Sequence, residues 1–267
     1  MTVAIIGAGV MGEALLSGLI RGGHELADLM VGEKRPERAT ELREKYAVQV
    51  VANTEAAGGA DTVALVVKPQ DMGEVLREIA PHLRAGQLVV SLAAGITTDY
   101  IERHIPDGIA VVRVMPNTPA LVDEGMFAIS AGTHCDEHHL AFAEQMLAVT
   151  GRVVRVPEKQ QDAVTAISGS GPAYLFFVVE AMIEAGVHLG LPRSTSTELV
   201  VQTVVGSAKL LRETGEHPTV LRERVTSPGG TTAAAIRQLE NHKVRAAFIE
   251  AMEAARDRSV ALAASDD

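Results

Sequence analysis

The sequence contains no tryptophan, three tyrosines, five phenylalanines and a single cysteine among its 267 residues. So few rings leave little surface on which bases can stack, and nucleic-acid binding is not expected. Cys135 has no intramolecular disulfide partner, and no thiolate metal site can be built around it, so a reducing cytosolic setting is the simplest expectation. Basic residues are the minority, 24 Lys and Arg against 34 Asp and Glu for a formal charge of −10. That balance argues against nucleic-acid backbones and anionic membranes as partners, while leaving room for a local basic pocket. No basic segment followed by a long apolar run opens the sequence, so no export signal is expected. The most apolar helical stretch, residues 172–190, carries Glu180, Glu184 and His188 on two faces, which hydrocarbon would not tolerate cheaply. It is expected to be buried by protein. No internal repeat or low-complexity tract is visible.

What the chain does have is rhythm. Short apolar runs at Val3–Ile6, Leu29–Gly32, Val48–Val51, Thr62–Val67, Leu88–Leu92, Val111–Met115 and Phe127–Ser130 read as strands. Helical patterns intervene near 11–22, 36–46, 70–83 and 137–149, with Pro36 at a first helical position. This alternation, with apolar residues on both faces of most runs, predicts an α/β Rossmann-type, doubly wound parallel sheet that ends after the helix at 137–149. Beyond Val156-Pro157 the pattern is helical, predicting an all-helical domain with helices near 158–167, 172–190, 193–213, 217–224, 230–240 and 242–263. Breaks are expected at Gly171-Pro172, Leu191-Pro192, His217-Pro218 and Ser227-Pro228. The domains are therefore placed at 1–160, a sheet domain, and 161–267, a helical domain. Apolar faces such as Leu175-Phe176-Phe177-Val178-Val179 exceed what a helical unit of that size buries alone, which predicts self-association through this half.

Gly7-Ala8-Gly9-Val10-Met11-Gly12 follows the first strand and opens a helical pattern, the context in which a GxGxxG motif binds a dinucleotide. Gly7 permits the tight turn, Gly9 the approach of backbone to pyrophosphate, and Gly12 the packing of helix on strand. At the end of the second strand stands Gly32-Glu33-Lys34-Arg35, with Glu33 21 positions after Gly12. An acid there favours a free ribose 2′-OH, whereas Lys34 and Arg35 suit a 2′-phosphate. NADPH is expected as the preferred donor, with NADH admitted. The loops Val67-Lys68-Pro69-Gln70 and Ala93-Ala94-Gly95 are expected at the carboxyl ends of strands, facing the nicotinamide side. Asn53 either contacts the adenosine side or caps a short helix beginning at Thr54.

Three further segments are small, polar and punctuated by proline: Arg113–Ala120, Ala166–Ala173, and Thr226-Ser227-Pro228-Gly229-Gly230-Thr231-Thr232. The last reads as a helix start whose free N–H groups surround a carboxylate. His134, His138 and His139 beside Cys135, Asp136 and Glu137 read as a hydrophilic helix start, and no metal is expected.

The motifs IIGAGVMGEAL, VKP at 67–69, VMPNTPALV at 114–122, SGSGPAY at 168–174 and LRERVTSPGGTTAAAIRQLE at 221–240 together resemble the pyrroline-5-carboxylate reductases over essentially the whole chain. Val10 departs from the family, where a polar residue, usually Asn, is common. The resemblance implies reduction of the cyclic imine L-1-pyrroline-5-carboxylate to L-proline by NAD(P)H, the last step of proline biosynthesis. It also implies an obligate dimer that often assembles into a decamer, one subunit's C-terminal helices completing its neighbour's active site. By motif position Ser227, Thr231 and Thr232 hold substrate, and Gly7 to Gly12, Asn53, Lys68 and Ala93 to Gly95 hold cofactor. Two rivals compete. A β-hydroxyacid dehydrogenase or deazaflavin-using reductase shares the N-terminal pattern but is expected to show a catalytic lysine motif or a different second half. A non-catalytic dinucleotide sensor has no use for the TSPGGTT segment.

Overall fold

Eight strands form one sheet in the order β3-β2-β1-β4-β5-β6-β7-β8 in the computed structural model, which describes residues 1–263. They are Val3–Ile6 (β1), Leu29–Gly32 (β2), Gln49–Val51 (β3), Thr62–Leu65 (β4), Leu88–Ser91 (β5), Ala110–Met115 (β6), Gly125–Ala131 (β7) and Gly151–Arg155 (β8). Strands β1 to β6 pair in parallel, with Val3 opposite both Leu29 and Thr62. All residues of β1, β4 and β5 are buried, as a sheet covered on both faces requires.

One face carries Val10–Arg21 (α1), Pro36–Tyr46 (α2) and Glu137–Ala148 (α6), through Leu15, Leu16, Leu19, Leu42, Met146 and Leu147. The other carries Asn53–Gly59 (α3), Met72–Ile79 (α4) and Thr98–Glu102 (α5). Helix α4 shows the local logic. Met72, Val75, Leu76 and Ile79 recur at i, i+3, i+4 and i+7 and are all buried, each contributing about 1.5–3 kcal/mol relative to exposure. Helix α2 begins at Pro36 and ends where Ala47 turns left-handed.

The expected doubly wound parallel sheet is present as β1 to β6, and it extends further than expected. Strand β7 runs antiparallel to β6, and β8 then lies parallel to β7 at the edge, so the sheet continues past the helix at which it was expected to stop. Strand β8 escapes a reading based on apolar runs because it is a sparsely covered edge strand: Arg152, Val154 and Arg155 are exposed and Val153 is only partly buried. Gly151 is required there, since a Cβ would lie 2.1 Å from the Gly125 carbonyl oxygen.

The chain divides into two compact units. The first takes Met1–Ser170 together with the chain from Ala255 onward, and the second Gly171–Ala254, so the division differs from the expected one near residue 160. The cause lies in buried polar contacts. Gln161 is fully buried and donates through Nε2 to the Ala128 carbonyl and Ser130 Oγ, and the Ser259 hydroxyl donates to Asp162. The helix expected at 158–167 is composite: a 3₁₀ turn at Glu158–Gln160, Gln161–Val164 (α7), and a π turn at Thr165–Gly169, with a bend at Ser170.

The second unit comprises Gly171–His188 (α8), Arg193–Thr214 (α9), Pro218–Arg224 (α10), Thr231–Asn241 (α11) and the start of Val244–Ala263 (α12). Helices α8 and α9 pack where the Ser196 hydroxyl donates to the Ile183 carbonyl. Gly186 permits the approach, because a Cβ there would sit 2.1 Å from Ser196 Oγ. Little else in the pair is buried. No residue of α8 is buried in the single chain, and Phe176 and Phe177 are 65% and 73% exposed. The expectation that this stretch is buried by protein is therefore not met within one chain. By length and composition alone, residues Glu158–His188 would suffice to cross a membrane.

Candidate active site

Sheet order reverses between β1 and β4, and ligands of doubly wound sheets bind at that point, beyond the carboxyl ends of the strands. There a cleft of about 470 Å³ is lined by Gly7, Ala8 and Gly9 after β1, by Gly32 to Arg35 after β2, by Asn53, and by Val66 to Lys68 after β4. Gly7 adopts φ +93°, a left-handed value that only glycine takes without strain, and a Cβ would meet the Val66 carbonyl oxygen at 2.7 Å. Gly12 lies so close to Gly7 that a Cβ would contact its carbonyl at 2.2 Å. Gly9 differs: a Cβ there would meet nothing within 4 Å and would occupy open space. Gly9 also stands at the N-cap of α1 with no side chain capping the helix, which leaves the first-turn N–H groups for an anion. The residues present fit a dinucleotide pyrophosphate.

The loop is held from behind. Arg38 Nε donates to the Ala8 carbonyl at 3.0 Å, and its guanidinium pairs with Glu13 and Glu41. Burial opposes ionisation of Glu13, but hydrogen bonds from Lys45, Arg38 and Tyr46 outweigh it and lower its pKa to about 2. The first-turn acid of α1 is thereby neutralised where an anion would dock.

At the adenosine end, Glu33 accepts from the Arg35 backbone N–H at 2.9 Å and from Arg35 Nε and Nη2 at 3.0 and 3.1 Å. Lys34 Nζ lies 3.0 Å from both Glu74 and Glu78. Asn53 does not cap α3: the helix starts at Asn53 itself, Ala52 is its N-cap, and the nearly buried Asn53 side chain donates to Glu78 at 3.1 Å. Asn53 also lines the cleft. Lys68 is exposed at the cleft and makes no ion pair among the described residues.

A second cleft of the same unit, about 610 Å³, is lined by Pro69 and Gln70 after β4, Ala94 and Gly95 after β5, Thr165 and Ser170 of the π-turn region, and Arg258 and Ser259 of α12. The structure thus separates the expected cofactor residues. Gly7, Ala8, Gly9, Lys34, Arg35, Asn53, Val67 and Lys68 line the first cleft, and Pro69, Ala94 and Gly95 the second. Ala93 packs into the core, Gly12 is buried against Gly7, and Val10 and Met11 line neither cleft. Asp71, Glu74, Thr165, Arg258 and Ser259 were missed. Helical periodicity places them on elements but does not show which strand ends they face.

The PNTP turn is tied to the π turn. Asn117 Nδ2 donates to the Ser168 carbonyl at 3.1 Å, while its Oδ1 accepts from Met126 N–H. Gly169 lies against the end of the Met115 side chain, where a Cβ would contact Met115 Cε at 2.3 Å and displace it. The histidine-rich segment is a helix start, Asp136 and His139 forming a reciprocal capping box on α6.

In the second unit, Ser227, Thr231 and Thr232 gather at the N-terminus of α11. The helix begins at Thr231, one residue after the expected start, and Pro228 stands in the preceding turn, where a break was expected. Gly229 has φ +70°, and the Gly230 N–H donates to the Ser227 carbonyl at 3.0 Å. Gly230 is the N-cap and no side chain caps the helix, leaving first-turn N–H groups and two threonine hydroxyls at one end.

Comparison with known proteins matches both halves. Residues 158–262 match the pyrroline-5-carboxylate reductase dimerisation family, and residues 2–95 match the coenzyme F420-dependent NADP oxidoreductases. The pyrroline-5-carboxylate reductase of Corynebacterium melassecola is 47% identical over 262 residues, 97% of each chain. The solved structure of a pyrroline-5-carboxylate reductase from Coxiella burnetii matches with TM-score 0.93 at 38% identity. That of a Plasmodium falciparum pyrroline carboxylate reductase with NADP bound matches with TM-score 0.88 at 30% identity. Both cover 98% of this chain and 98% of their own. With relatives aligned from end to end and an uncapped helix start in the dinucleotide cleft, the chain belongs to the pyrroline-5-carboxylate reductase family.

Proposed function

We propose that this chain reduces L-1-pyrroline-5-carboxylate to L-proline, its sheet unit holding the dinucleotide and the α11 N-terminus holding the substrate. The observation that carries the reading is the full-length relationship to pyrroline-5-carboxylate reductases, which makes the chain an NAD(P)H-dependent oxidoreductase. A bound dinucleotide supplies the hydride. The glycine loop and the first-turn N–H groups of α1 orient the pyrophosphate, Lys68 supplies a cation to the ribose or phosphate, and Asn53 faces the adenosine side. The loops Val67 to Pro69 and Ala93 to Gly95 take the nicotinamide end.

On the substrate side, Ser227, Thr231 and the first-turn N–H groups of α11 bind the carboxylate, favoured by the helix dipole. Thr232 Oγ1 hydrogen-bonds the ring nitrogen. A cyclic imine arriving protonated needs orientation and charge matching more than a strong acid, and hydroxyls with backbone amides provide both. An isolated threonine hydroxyl is a poor acid at neutral pH, so Thr232 positions the nitrogen or relays a proton from water. Self-association through the helical half is supported by its match to the dimerisation family and by the bare apolar faces of α8. The assembly we propose is a dimer, able to build to a decamer, in the cytosol. The test is oxidation of reduced nicotinamide by freshly prepared substrate, with proline identified as product. Cofactor binding without turnover would overturn the reading and favour a sensor.

A further inference from the structure

We propose that Glu33 is the residue that selects the donor in this chain, and that it favours the unphosphorylated ribose of NADH. The inference rests on the dinucleotide reading of the first cleft. The expectation of NADPH took Lys34 and Arg35 as cations available to a 2′-phosphate, and neither is free. Arg35 is folded back on Glu33, its guanidinium reaching both carboxylate oxygens at 3.0 and 3.1 Å. Lys34 bridges Glu74 and Glu78 at 3.0 Å each. The charged residues that line the cleft balance, Glu33, Asp71 and Glu74 against Lys34, Arg35 and Lys68, so with Lys34 and Arg35 already paired no surplus cation at the Glu33 end awaits a 2′-phosphate.

The Glu33 carboxylate is also fixed. It stands directly after β2 with a side chain only 6% exposed, whereas that of Arg35 is 66% exposed. Burial works against its charge, but the Arg35 guanidinium and the N–H groups of Arg35 and Ala8 hold its carboxyl below the ordinary value. It is therefore ionised at neutral pH and accepts hydrogen bonds only. Ribose hydroxyls donate to such a group. A 2′-phosphate carries about −1.5 to −2 charges and no strong donor, so it meets like charge at a site where Glu33 cannot swing away. Recruiting Arg35 to that phosphate would also strip the nearly buried carboxylate of its main partner. NADH requires neither exchange.

The test is titration of the intact protein with NADH and NADPH by nicotinamide fluorescence, together with steady-state kinetics for both donors, on wild type and Glu33→Gln. Wild type should bind NADH about tenfold more tightly than NADPH, and Glu33→Gln should move that ratio about tenfold or more toward NADPH. The shift should appear in Kd and KM with kcat within about twofold, because the adenosine ribose is remote from the reacting carbon. Lys34→Ala, which leaves the Glu33–Arg35 pair intact, should keep the preference for NADH. Wild type favouring NADPH, or a binding ratio unmoved in a folded Glu33→Gln protein, would overturn the proposal. Failure of the functional reading is separable: either donor then binds with the stated preference, but neither is oxidised by the imine.

Discussion

Two glycines of one motif, Gly7 and Gly9, fail for different reasons when replaced, and the difference can be measured. Gly7 is committed to a left-handed backbone against Val66, so substitution there strains the fold itself. Gly9 faces open space, so Gly9→Val should keep the thermal midpoint of wild type while raising the dinucleotide dissociation constant about a hundredfold or more. A large fall in stability would show instead that Gly9 is packed. Thr232→Ala should do the converse, cutting kcat while leaving cofactor affinity within about twofold, since its hydroxyl is assigned to the substrate. Glu13 titrates near pH 2 in the folded protein against an ordinary 4.5, so its contribution is fully present above pH 4.5 and is lost as pH falls toward 2. Glu13→Gln should cost about 1–3 kcal/mol at neutral pH, read from urea midpoints. The gap to wild type should shrink between pH 4.5 and 2, and a gap unchanged at low pH would contradict the pairing with Arg38, Lys45 and Tyr46.

Among the elements, those with a strong period were legible and those defined by context were not. Val3–Ile6 and the Met72–Ile79 helix announce themselves by continuous apolarity and by i, i+3, i+4 spacing. Strand β8 carries Arg152 and Arg155 on opposite faces because it is a sparsely covered edge strand, and the antiparallel turn into β7 has no signature in residue type. The π turn at Thr165–Gly169 is contacted by Asn117, which reaches across 51 positions to the Ser168 carbonyl, a pairing no local pattern shows. The same limit governed the site. The glycine loop and TSPGGTT are local in sequence and were readable, whereas Asp71, Glu74 and Arg258 join the clefts only through the fold. Glu33 was visible, but its pairing with Arg35 is a matter of rotamers. At the α6 start, where the capping box is complete, Asp136→Ala should cost about 1 kcal/mol of unfolding free energy.

For the molecule as a whole, the imbalance between its halves matters most. The sheet unit buries its apolar residues on both faces, while α8 leaves Phe176 and Phe177 largely bare in a single chain. A contiguous apolar face of that kind calls for a partner surface. Phe177→Glu should lower the association state and the thermal midpoint together, read by light scattering and calorimetry, and an unchanged assembly would place the interface elsewhere. The central claim meets its most direct test in one assay: reduced nicotinamide, supplied as NADH or as NADPH, is followed with L-1-pyrroline-5-carboxylate, and the product is identified. Oxidation that is strictly substrate-dependent and yields L-proline in equal amount is the expected result. Cofactor that binds in the glycine-lined cleft yet is not oxidised by the imine would contradict it.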